Sequence, residues 1–268
     1  MKPITSTAFY CCGTRMQDAD SVKPVCNDTY ARIFMNEYGL NIFEAFKEFK
    51  YPNASNVTRH RIIDDILRRE LKVDPNIQII LIGSGFDTRP FRLVGGIWVE
   101  LDEPQILNYK NERLPATNCK NPLKRIPIDF SNESLEEKLI SFPSQLRTII
   151  ILEGVLMYLG YQTIEHLLNT LISKFPSHQF ICDLMKKEFF EKHSYKLHKK
   201  IEALGTSFIT SEQPDEVFLE KGYSALEIIS IIGKASEFGN IRIPLFLLKS
   251  FFRSLYSGYS IYLFEYID

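Results

Sequence analysis

The sequence predicts an α/β protein with a doubly wound, mainly parallel sheet. Residues 77–82 and 148–152 are nearly continuous runs of isoleucine and leucine, a pattern typical of strands that are covered on both faces. Segments with helical periodicity alternate with such runs, which favours βα units over hairpins. Two closely spaced glycines directly after the first run predict a tight strand-to-helix turn.

The elements follow in order along the chain. Residues 59–72 carry apolar side chains at helical spacing, so we expect a helical prefix over residues 1–75 that covers the ligand crevice. Weaker strand patterns occupy residues 97–101, 124–128 and 179–184, and the aromatic-rich segment 259–266 completes six predicted strands. Helices are predicted over residues 104–114, 135–142, 163–175 and 186–204.

Length and charge limit the domain count and the class of partner. The chain has 268 residues, 45% hydrophobic residues and a formal net charge of −1, which is typical of a globular domain. We expect a single domain over residues 1–268, with a core over 76–268 and a helical insertion near 186–220. The near-neutral charge predicts no nucleic-acid or membrane partner. The first residues lack an apolar run, so we expect a cytoplasmic protein.

The sequence predicts neither a metal site nor a clear general base. Five cysteines are present without C-x-x-C spacing, so a zinc site or a disulfide framework is not expected. Histidines are the usual general bases near neutral pH. Four of the five histidines fall in predicted helices, and a structural or solvated role is favoured for all five: His60, His166, His178, His193 and His198.

The motif Gly-Ser-Gly-Phe-Asp-Thr-Arg, residues 83–89, follows the best predicted strand. Gly83 and Gly85 allow a tight turn and a close approach of the backbone to a ligand. Thr88 stands where the dinucleotide motif G-x-G-x-x-G has its third glycine. The motif therefore favours a nucleoside ligand without a pyrophosphate over a dinucleotide.

Acidic residues end three further predicted strands. Asp102 lies 19 residues beyond Gly83, close to the offset of about 20 residues at which an acid binds a ribose hydroxyl. Asp129 and Glu153 follow the next two strands. Ligands bind outside the carboxyl ends of such strands, so these acids and Gly85 are expected at one crevice. A helix-capping role for Asp129 and pairing of Glu153 with a buried arginine stay open.

Three motifs together resemble the leucine carboxyl methyltransferase family, which includes bacterial polyketide-type O-methyltransferases. They are residues 83–89, the segment Glu-Leu-Asp-Glu-Pro of residues 100–104 with Lys110, and the segment Glu-Gly-Val-Leu-Met-Tyr-Leu of residues 153–159. The resemblance implies a Rossmann-like class I fold with a seven-stranded sheet and an N-terminal helical lid. It also implies S-adenosyl-L-methionine (SAM) as the cofactor and S-adenosyl-L-homocysteine (SAH) as its product.

The resemblance also implies roles for individual residues. Arg15 and Arg59 are similar to the cations that bind the methionine carboxylate, and Glu153 is similar to the acid near the methionine amine. Opposite charges at the two ends suit a zwitterionic group. The remaining implied cofactor contacts come from Gly83 and Gly85 beneath the cofactor, Asp102 at the ribose, and Asp129 and Phe130 at the adenine.

The acceptor is expected to be an oxygen, and the sequence favours a carboxylate because an ionised carboxylate needs no general base. By resemblance, Tyr158 and Arg89 lie next to the transferred methyl group and are our substrate-positioning candidates. Ser131 stands where family members that act on a phosphatase have an arginine. We therefore favour a small-molecule carboxylate as the substrate, and a protein C-terminus stays an alternative.

Two other functions stay open. Tyr195 and Lys199 have the Tyr-x-x-x-Lys spacing of short-chain NAD(P)-dependent oxidoreductases. A non-catalytic SAM-binding protein would keep the crevice and lose transfer, and the basic segment 186–200 could then serve a partner. Cofactor binding and turnover distinguish these functions from a methyltransferase.

Overall fold

Within residues 3–268, the part of the chain that the computed structural model describes, a seven-stranded mixed sheet forms the centre. The strands are β1 (Gln78–Ile82), β2 (Ile97–Asp102), β3 (Leu123–Pro127), β4 (Thr148–Leu152), β5 (Ser177–Met185), β6 (Ser224–Ser230) and β7 (Tyr259–Ile267). Their order across the sheet is β3-β2-β1-β4-β5-β7-β6. Strand β7 is antiparallel to both of its neighbours, and the other pairs are parallel. The predicted α/β fold with a mainly parallel sheet is confirmed.

Helices precede the sheet and connect its strands. The prefix contains α1 (Pro3–Ala19), α2 (Glu37–Phe46) and α3 (Lys50–Val73). The helices among the strands are α4 (Arg89–Arg92), α5 (Pro104–Arg113), α6 (Leu135–Leu139), α7 (Tyr161–Lys174), α8 (Lys187–Phe189), α9 (Tyr195–Glu202), α10 (Glu216–Glu220), α11 (Ile231–Glu237), α12 (Leu245–Ser250) and α13 (Arg253–Ser257). Short 3₁₀ turns occupy Ala31–Phe34, Ala116–Asn118 and Leu156–Tyr158, and a π-helical turn occupies Phe190–Ser194.

The two faces of the sheet build two separate cores. Successive side chains of a strand point to opposite faces. Ile79 and Leu81 of β1 accordingly pack in a core with α3 and α11. Ile80 and Ile82 pack in a second core with α7 and α10. Strands β1 and β4 are buried along their whole length, which is why their sequences are almost continuously apolar.

The helical prefix lies over the carboxyl ends of the central strands. Helix α3 packs Ile63 and Leu67 against the sheet, and α1 contacts both α2 and α3. Residues 1 and 2 of the expected prefix lie outside the described residues. The contacts of α1 and α3 place Arg15 and Arg59 at the cavity described below.

Two sequence-based assignments are wrong. Strand β6 was not expected, because it is an edge strand with a bulge between Ala225 and Glu227 and much exposed surface, so its pattern is not continuously apolar. The single helix expected over residues 186–204 is broken into α8, the π-helical turn and α9.

Among the described residues, no helix combines the length and the apolar character that a membrane span requires.

Candidate active site

The loop after β1 has a backbone that requires glycine at two positions. Gly83 and Gly85 have φ angles of 70° and 47°, in the region that other residues rarely adopt. A Cβ on Gly83 would lie 2.7 Å from Cγ2 of Val155. A Cβ on Gly85 would meet Cβ of Ala8 at an ordinary 3.7 Å, so backbone conformation is what requires glycine there. The loop thus presents backbone without side chains at the carboxyl end of β1.

Asp102 ends β2 and is held by the same loop. Its Oδ2 accepts a hydrogen bond from the backbone N–H of Gly85 at 2.5 Å, and its Oδ1 accepts one from the N–H of Glu103 at 2.7 Å. Burial raises the pKa of the Asp102 carboxyl to about 6, although both backbone donors favour its ionised form. A carboxylate has about four acceptor sites, so Asp102 can still accept hydrogen bonds from a ligand.

Arg59 and Glu153 form a buried ion pair between the prefix and the end of β4. The Nε of Arg59 lies 3.1 Å from Oε1 of Glu153, and its Nη1 lies 3.0 Å from Oδ2 of Asp183 on β5. Nη1 also donates to the hydroxyl oxygen of Tyr259 at 2.7 Å. Neighbouring arginines hold the pKa of Glu153 well below its usual range in spite of burial. Pairing of Glu153 with a buried arginine, the alternative that the sequence left open, is therefore observed.

These groups line one cavity of about 820 Å³. Its wall includes Gly83, Gly85, Asp102, Arg59 and Glu153 together with Arg15 and Phe130. The ends of β1, β2 and β4 contribute to that wall, and helices α1 and α3 lie over it. About 300–1,000 Å³ is the usual volume of a pocket for one drug-sized ligand. The cavity lies at the carboxyl ends of the strands and brings together Gly85, Asp102 and Glu153, but not Asp129.

Residues 11–172 match the model of the leucine carboxyl methyltransferase family. The chain belongs to this family. A protein of Mycobacteroides abscessus that carries the provisional name S-adenosyl-L-methionine-dependent methyltransferase is 21% identical over 196 residues, which cover 64% of this chain and 61% of that protein. The chain spans 55–62% of the length of such curated relatives.

Solved structures share the fold. A provisionally named methyltransferase from Thermobifida fusca has a TM-score of 0.63 at 13% identity, covering 93% of this chain and 97% of its own. Magnesium protoporphyrin IX methyltransferase from Synechocystis, with bound SAH, has a TM-score of 0.51 at 13% identity, covering 89% and 99%. The chain therefore has the Rossmann-like class I methyltransferase fold that its motifs predicted.

Within this family member, Arg15 is the second cation at the cavity wall. Its Nε lies 2.9 Å from Oδ2 of Asp28, and its Nη2 donates to the backbone carbonyl of Phe86 at 2.8 Å. Asp28 is fully buried and also accepts from the hydroxyl of Thr88. Arg15 is thus fixed to the glycine loop, in the half of the cavity where the family resemblance expects the methionine carboxylate.

Arg89 does not line the cavity. Its side chain is fully buried, with Nε 2.7 Å from Oδ1 of Asp64 and Nη1 2.8 Å from Oε2 of Glu153. Nη1 also pairs with Asp87, and Nη2 lies 2.8 Å from Nδ1 of His60. The expectation that Arg89 contacts the substrate does not fit this position, because ion pairs enclose the guanidinium. Through its ion pair with Glu153, Arg89 fixes the position of the Glu153 carboxylate at the cavity wall.

Within the described residues, His60, Asp87 and Glu153 bring one possible metal-ligand atom each within 4.8 Å of one another. The guanidinium of Arg89 contacts all three. Burial and Arg89 lower the pKa of His60, so its imidazole is neutral at pH 7. The guanidinium of Arg89 supplies the positive charge at this point.

The buried ion network around the cavity carries a net negative charge. Its members pair continuously from the prefix to β5. They are Arg15, Arg59, Arg89, Arg92, Asp28, Asp64, Asp87, Glu153 and Asp183. Four arginines against five carboxylates leave one negative charge when His60 is neutral. Of these nine residues, Arg15, Arg59, Asp87 and Glu153 line the cavity, and the net negative charge of the network favours a ligand with a net positive charge.

The residues expected at the adenine separate in the structure. Phe130 lines the cavity and is 45% exposed, so its ring is available for stacking. Asp129 lies outside the cavity lining, and its carboxylate accepts from the backbone N–H of Ser131 and from Nδ2 of Asn132. Asp129 therefore caps the turn that follows β3, and the helix-capping alternative is wrong because Ser134 is the N-cap of α6.

Tyr158 lies at the cavity wall. It ends the 3₁₀ turn after β4, and its ring packs edge-on against Phe208 with centroids 5.2 Å apart. Burial raises the pKa of its phenol above its usual value. The hydroxyl therefore stays protonated at neutral pH and can donate a hydrogen bond to an acceptor oxygen.

Sequence reasoning missed Asp183 and the polar face that His60 and Asp64 form on α3. Asp183 interrupts the apolar run of β5 near its carboxyl end, the same signal that identified Asp102, and it binds Arg59, Tyr259 and the N–H of Gly154. His60 and Asp64 lie one helical turn apart on α3, directly after Arg59. Their spacing could have predicted a polar face of that helix.

Proposed function

We propose that this protein is a SAM-dependent methyltransferase that methylates a carboxylate oxygen of a small molecule. One observation carries the proposal: a single cavity joins the glycine loop, Asp102 and the Arg59–Glu153 pair. The curated relatives are named as enzymes of the SAM-dependent class, and the related Synechocystis structure contains SAH. The family is defined by carboxyl methylation in its name.

The cavity residues fit the parts of SAM one by one. Glu153 would accept from the ammonium group, and Arg59 with Arg15 would face the carboxylate. Asp102 would accept from the ribose hydroxyls, and Phe130 would stack on the adenine. SAM carries one net positive charge, which suits the net negative charge of the buried ion network. The bare backbone at Gly83 leaves room for close approach.

The acceptor chemistry is simple. Bound SAM supplies a methyl carbon activated by the positive sulfur: transfer forms one O–C bond and breaks one C–S bond, and the electron pair of the broken bond stays on sulfur. An acceptor carboxylate gives up no proton, so no general base is needed. This agrees with His60, the histidine nearest the ion pair, which is locked between Arg89 and Arg92. The chain's task is to orient the acceptor and exclude water.

The rival functions find less support in the geometry. Tyr195 and Lys199 of α9 lie outside the cavity lining, and Tyr195 is 52% exposed. Ser131 is exposed and also lies outside the cavity lining. This position, where family members that act on a phosphatase have an arginine, therefore supplies no positive charge to bind the carboxylate of a protein C-terminus. These placements support a small-molecule methyltransferase over an oxidoreductase and over methylation of a protein C-terminus.

We expect the purified protein to bind SAH and to bind neither NAD nor NADP, because Thr88 replaces the third glycine of the dinucleotide motif. Isothermal titration calorimetry with the three ligands under one set of conditions measures this. Binding of a nicotinamide dinucleotide together with no detectable binding of SAH would contradict the proposed function.

Asp102→Ala is expected to weaken SAH binding by about 1–3 kcal/mol, because two ribose hydroxyls lose a charged acceptor.

The wild-type affinity for SAH should also fall as the pH is lowered from 7 to 5, since the Asp102 carboxyl has a pKa of about 6 and accepts hydrogen bonds best when it is ionised. About a tenfold loss is the limit over that range. Calorimetry at pH 5, 6 and 7 gives both effects.

Asp102→Asn is the control for this pH dependence. Asp87 and Glu153, which also line the cavity, have pKa values below their usual range. Because Asp102→Asn removes the lining carboxyl with the raised pKa, its SAH affinity should depend on pH much less than that of the wild type. An equal loss of affinity in wild type and Asp102→Asn would assign the titration to another group.

The product is expected to be a methyl ester. An extract of the source cells is incubated with the protein and with SAM labelled in its methyl group, and the products are treated with mild alkali. A carboxylate acceptor gives an ester, so the label should be released as volatile methanol. Label that withstands alkali would indicate an ether or N-methyl product, and carboxylate methylation would then be excluded.

A further inference from the structure

The cavity extends beyond the proposed cofactor residues into a part that we call the acceptor chamber, defined as the part lined by residues 185–259. Helices α8, α9, α11 and α13 and strand β7 contribute to its wall. Its lining includes Phe189, Leu197, Ile201, Ile232, Ile243 and Leu255. Among the described residues that line this chamber, none is a lysine, arginine, aspartate or glutamate.

Charge in the cavity is therefore segregated. The ionised lining residues all precede Gly154 in the chain, and they include Arg15, Arg59, Asp102 and Glu153. A polar or charged group placed in the acceptor chamber would lose its water without gaining an ionic partner, which is unfavourable. An apolar group placed there would exchange water for close contacts with aliphatic and aromatic side chains, which is favourable.

Three side chains of the chamber carry polar atoms, those of His193, Ser194 and Tyr259. The Tyr259 hydroxyl is already bonded to Arg59 and Asp183 beside the ion pair. Tyr158 lies where the ion pair and the acceptor chamber meet, and Phe208 of the chamber wall fixes its ring. His193 lies in the π-helical turn and is exposed at the surface. An acceptor with one polar head and an apolar body would thus place its head at Tyr158 and its body among the apolar side chains.

We infer that the methyl acceptor is an apolar carboxylic acid, with an aliphatic or aromatic body that occupies the acceptor chamber. This rests on the proposed function and adds the chemical class of the substrate. The Tyr158 hydroxyl donates to the acceptor carboxylate, and Phe189, Ile232 and Ile243 contact the apolar body. Transfer removes the negative charge of the acid, so the product is a neutral ester of the same apolar body.

Direct binding tests the class of acid. The protein, saturated with SAH, is titrated calorimetrically with octanoate, phenylacetate, succinate and a short peptide that ends in leucine. Octanoate or phenylacetate should bind about tenfold or more tightly than succinate and the peptide, because only they place an apolar body in the chamber without a second polar group. Equal or tighter binding of succinate or the peptide would overturn the inference.

A pair of variants locates the binding. Ile243 is half-buried and lines the chamber, whereas Ile209 is 52% exposed and does not. Ile243→Gln should weaken binding of the better apolar acid about tenfold or more, and Ile209→Gln should leave it unchanged. Both variants should keep the wild-type affinity for SAH, which shows that the fold is intact. Unchanged binding of the acid by Ile243→Gln would show that the chamber is not its site.

The labelled extract separates failure of this inference from failure of the proposed function. Alkali-labile label that partitions into hexane or ethyl acetate supports an apolar ester. Alkali-labile label that stays in water or precipitates with protein overturns the apolar class, while carboxylate methylation stands. Alkali-stable label rejects the proposed function itself, and with it the inference that rests on it.

Discussion

Arg89→Met is expected to lower the free energy of unfolding by about 3–5 kcal/mol, the usual cost of removing one partner from a buried ion cluster. The substitution leaves Asp87 and Glu153 without their shortest contacts to a cation. Asp64 keeps Arg92, so part of the network survives. Chemical denaturation of the wild type and the variant at pH 7 measures the difference.

The effect should depend on pH with a definite sign. In the wild type, Arg89 holds the pKa values of Asp87 and Glu153 below their usual range, which stabilises the fold above pH 4 to 5 and is lost as the pH falls through the lowered values. In the variant these carboxylates protonate more readily. The difference between the two proteins should therefore shrink towards pH 4.

Arg68→Met is the matched control. Arg68 also contacts Asp64, at 3.5 Å, but its side chain is 45% exposed, and exposed pairs contribute about 0–1 kcal/mol. Equal losses in the two variants would contradict the central place of Arg89. A loss of transfer by Arg89→Met with unchanged stability would instead restore Arg89 as a substrate contact.

Gly83→Ala is expected to reduce SAH affinity about tenfold or more and to destabilise the fold by about 1–2 kcal/mol. The φ angle of 70° disfavours any side chain, and a Cβ would lie 2.7 Å from Cγ2 of Val155. The loop must shift to relieve both problems, and it carries the N–H of Gly85 that holds Asp102. Calorimetry and thermal unfolding measure the two effects.

Gly160→Ala is the control for this substitution. Gly160 precedes α7 with a φ of −74°, and a Cβ added there would have no heavy atom within 4 Å. We expect its SAH affinity and unfolding temperature to match those of the wild type. If Gly83→Ala behaved in the same way as Gly160→Ala, the glycine loop would not be the cofactor cradle.

The central part of the fold was predictable because its physical causes are local. Strands β1 and β4 are buried on both faces, so nearly every residue must be apolar. Asp102 and Glu153 stand out because each interrupts apolar sequence where a strand ends. Gly83 and Gly85 stand out because few other residues tolerate such a turn. All of these signals lie within a few consecutive residues.

The parts that were missed depend on contacts between distant segments. Arg89 follows the glycine loop, and nothing in the adjacent sequence shows that its guanidinium turns towards Asp64 on α3 instead of the cavity. Asp129 follows a strand end as Asp102 does, yet its carboxylate accepts hydrogen bonds from Ser131 and Asn132 of the turn that it begins. The edge strand β6 has no burial on its outer side, so its sequence lacks the pattern of β1.

The bonds of Arg59 also constrain the order in which the chain can fold. Arg59 and Tyr259 are 200 residues apart in sequence, yet their side chains are hydrogen-bonded beside Glu153 and Asp183. A chain emerging from the ribosome can form α3, β1 and β2 early, but this junction cannot close until β7 has inserted between β5 and β6. During synthesis the junction of Arg59, Asp183 and Tyr259 therefore closes only after residue 259 has emerged.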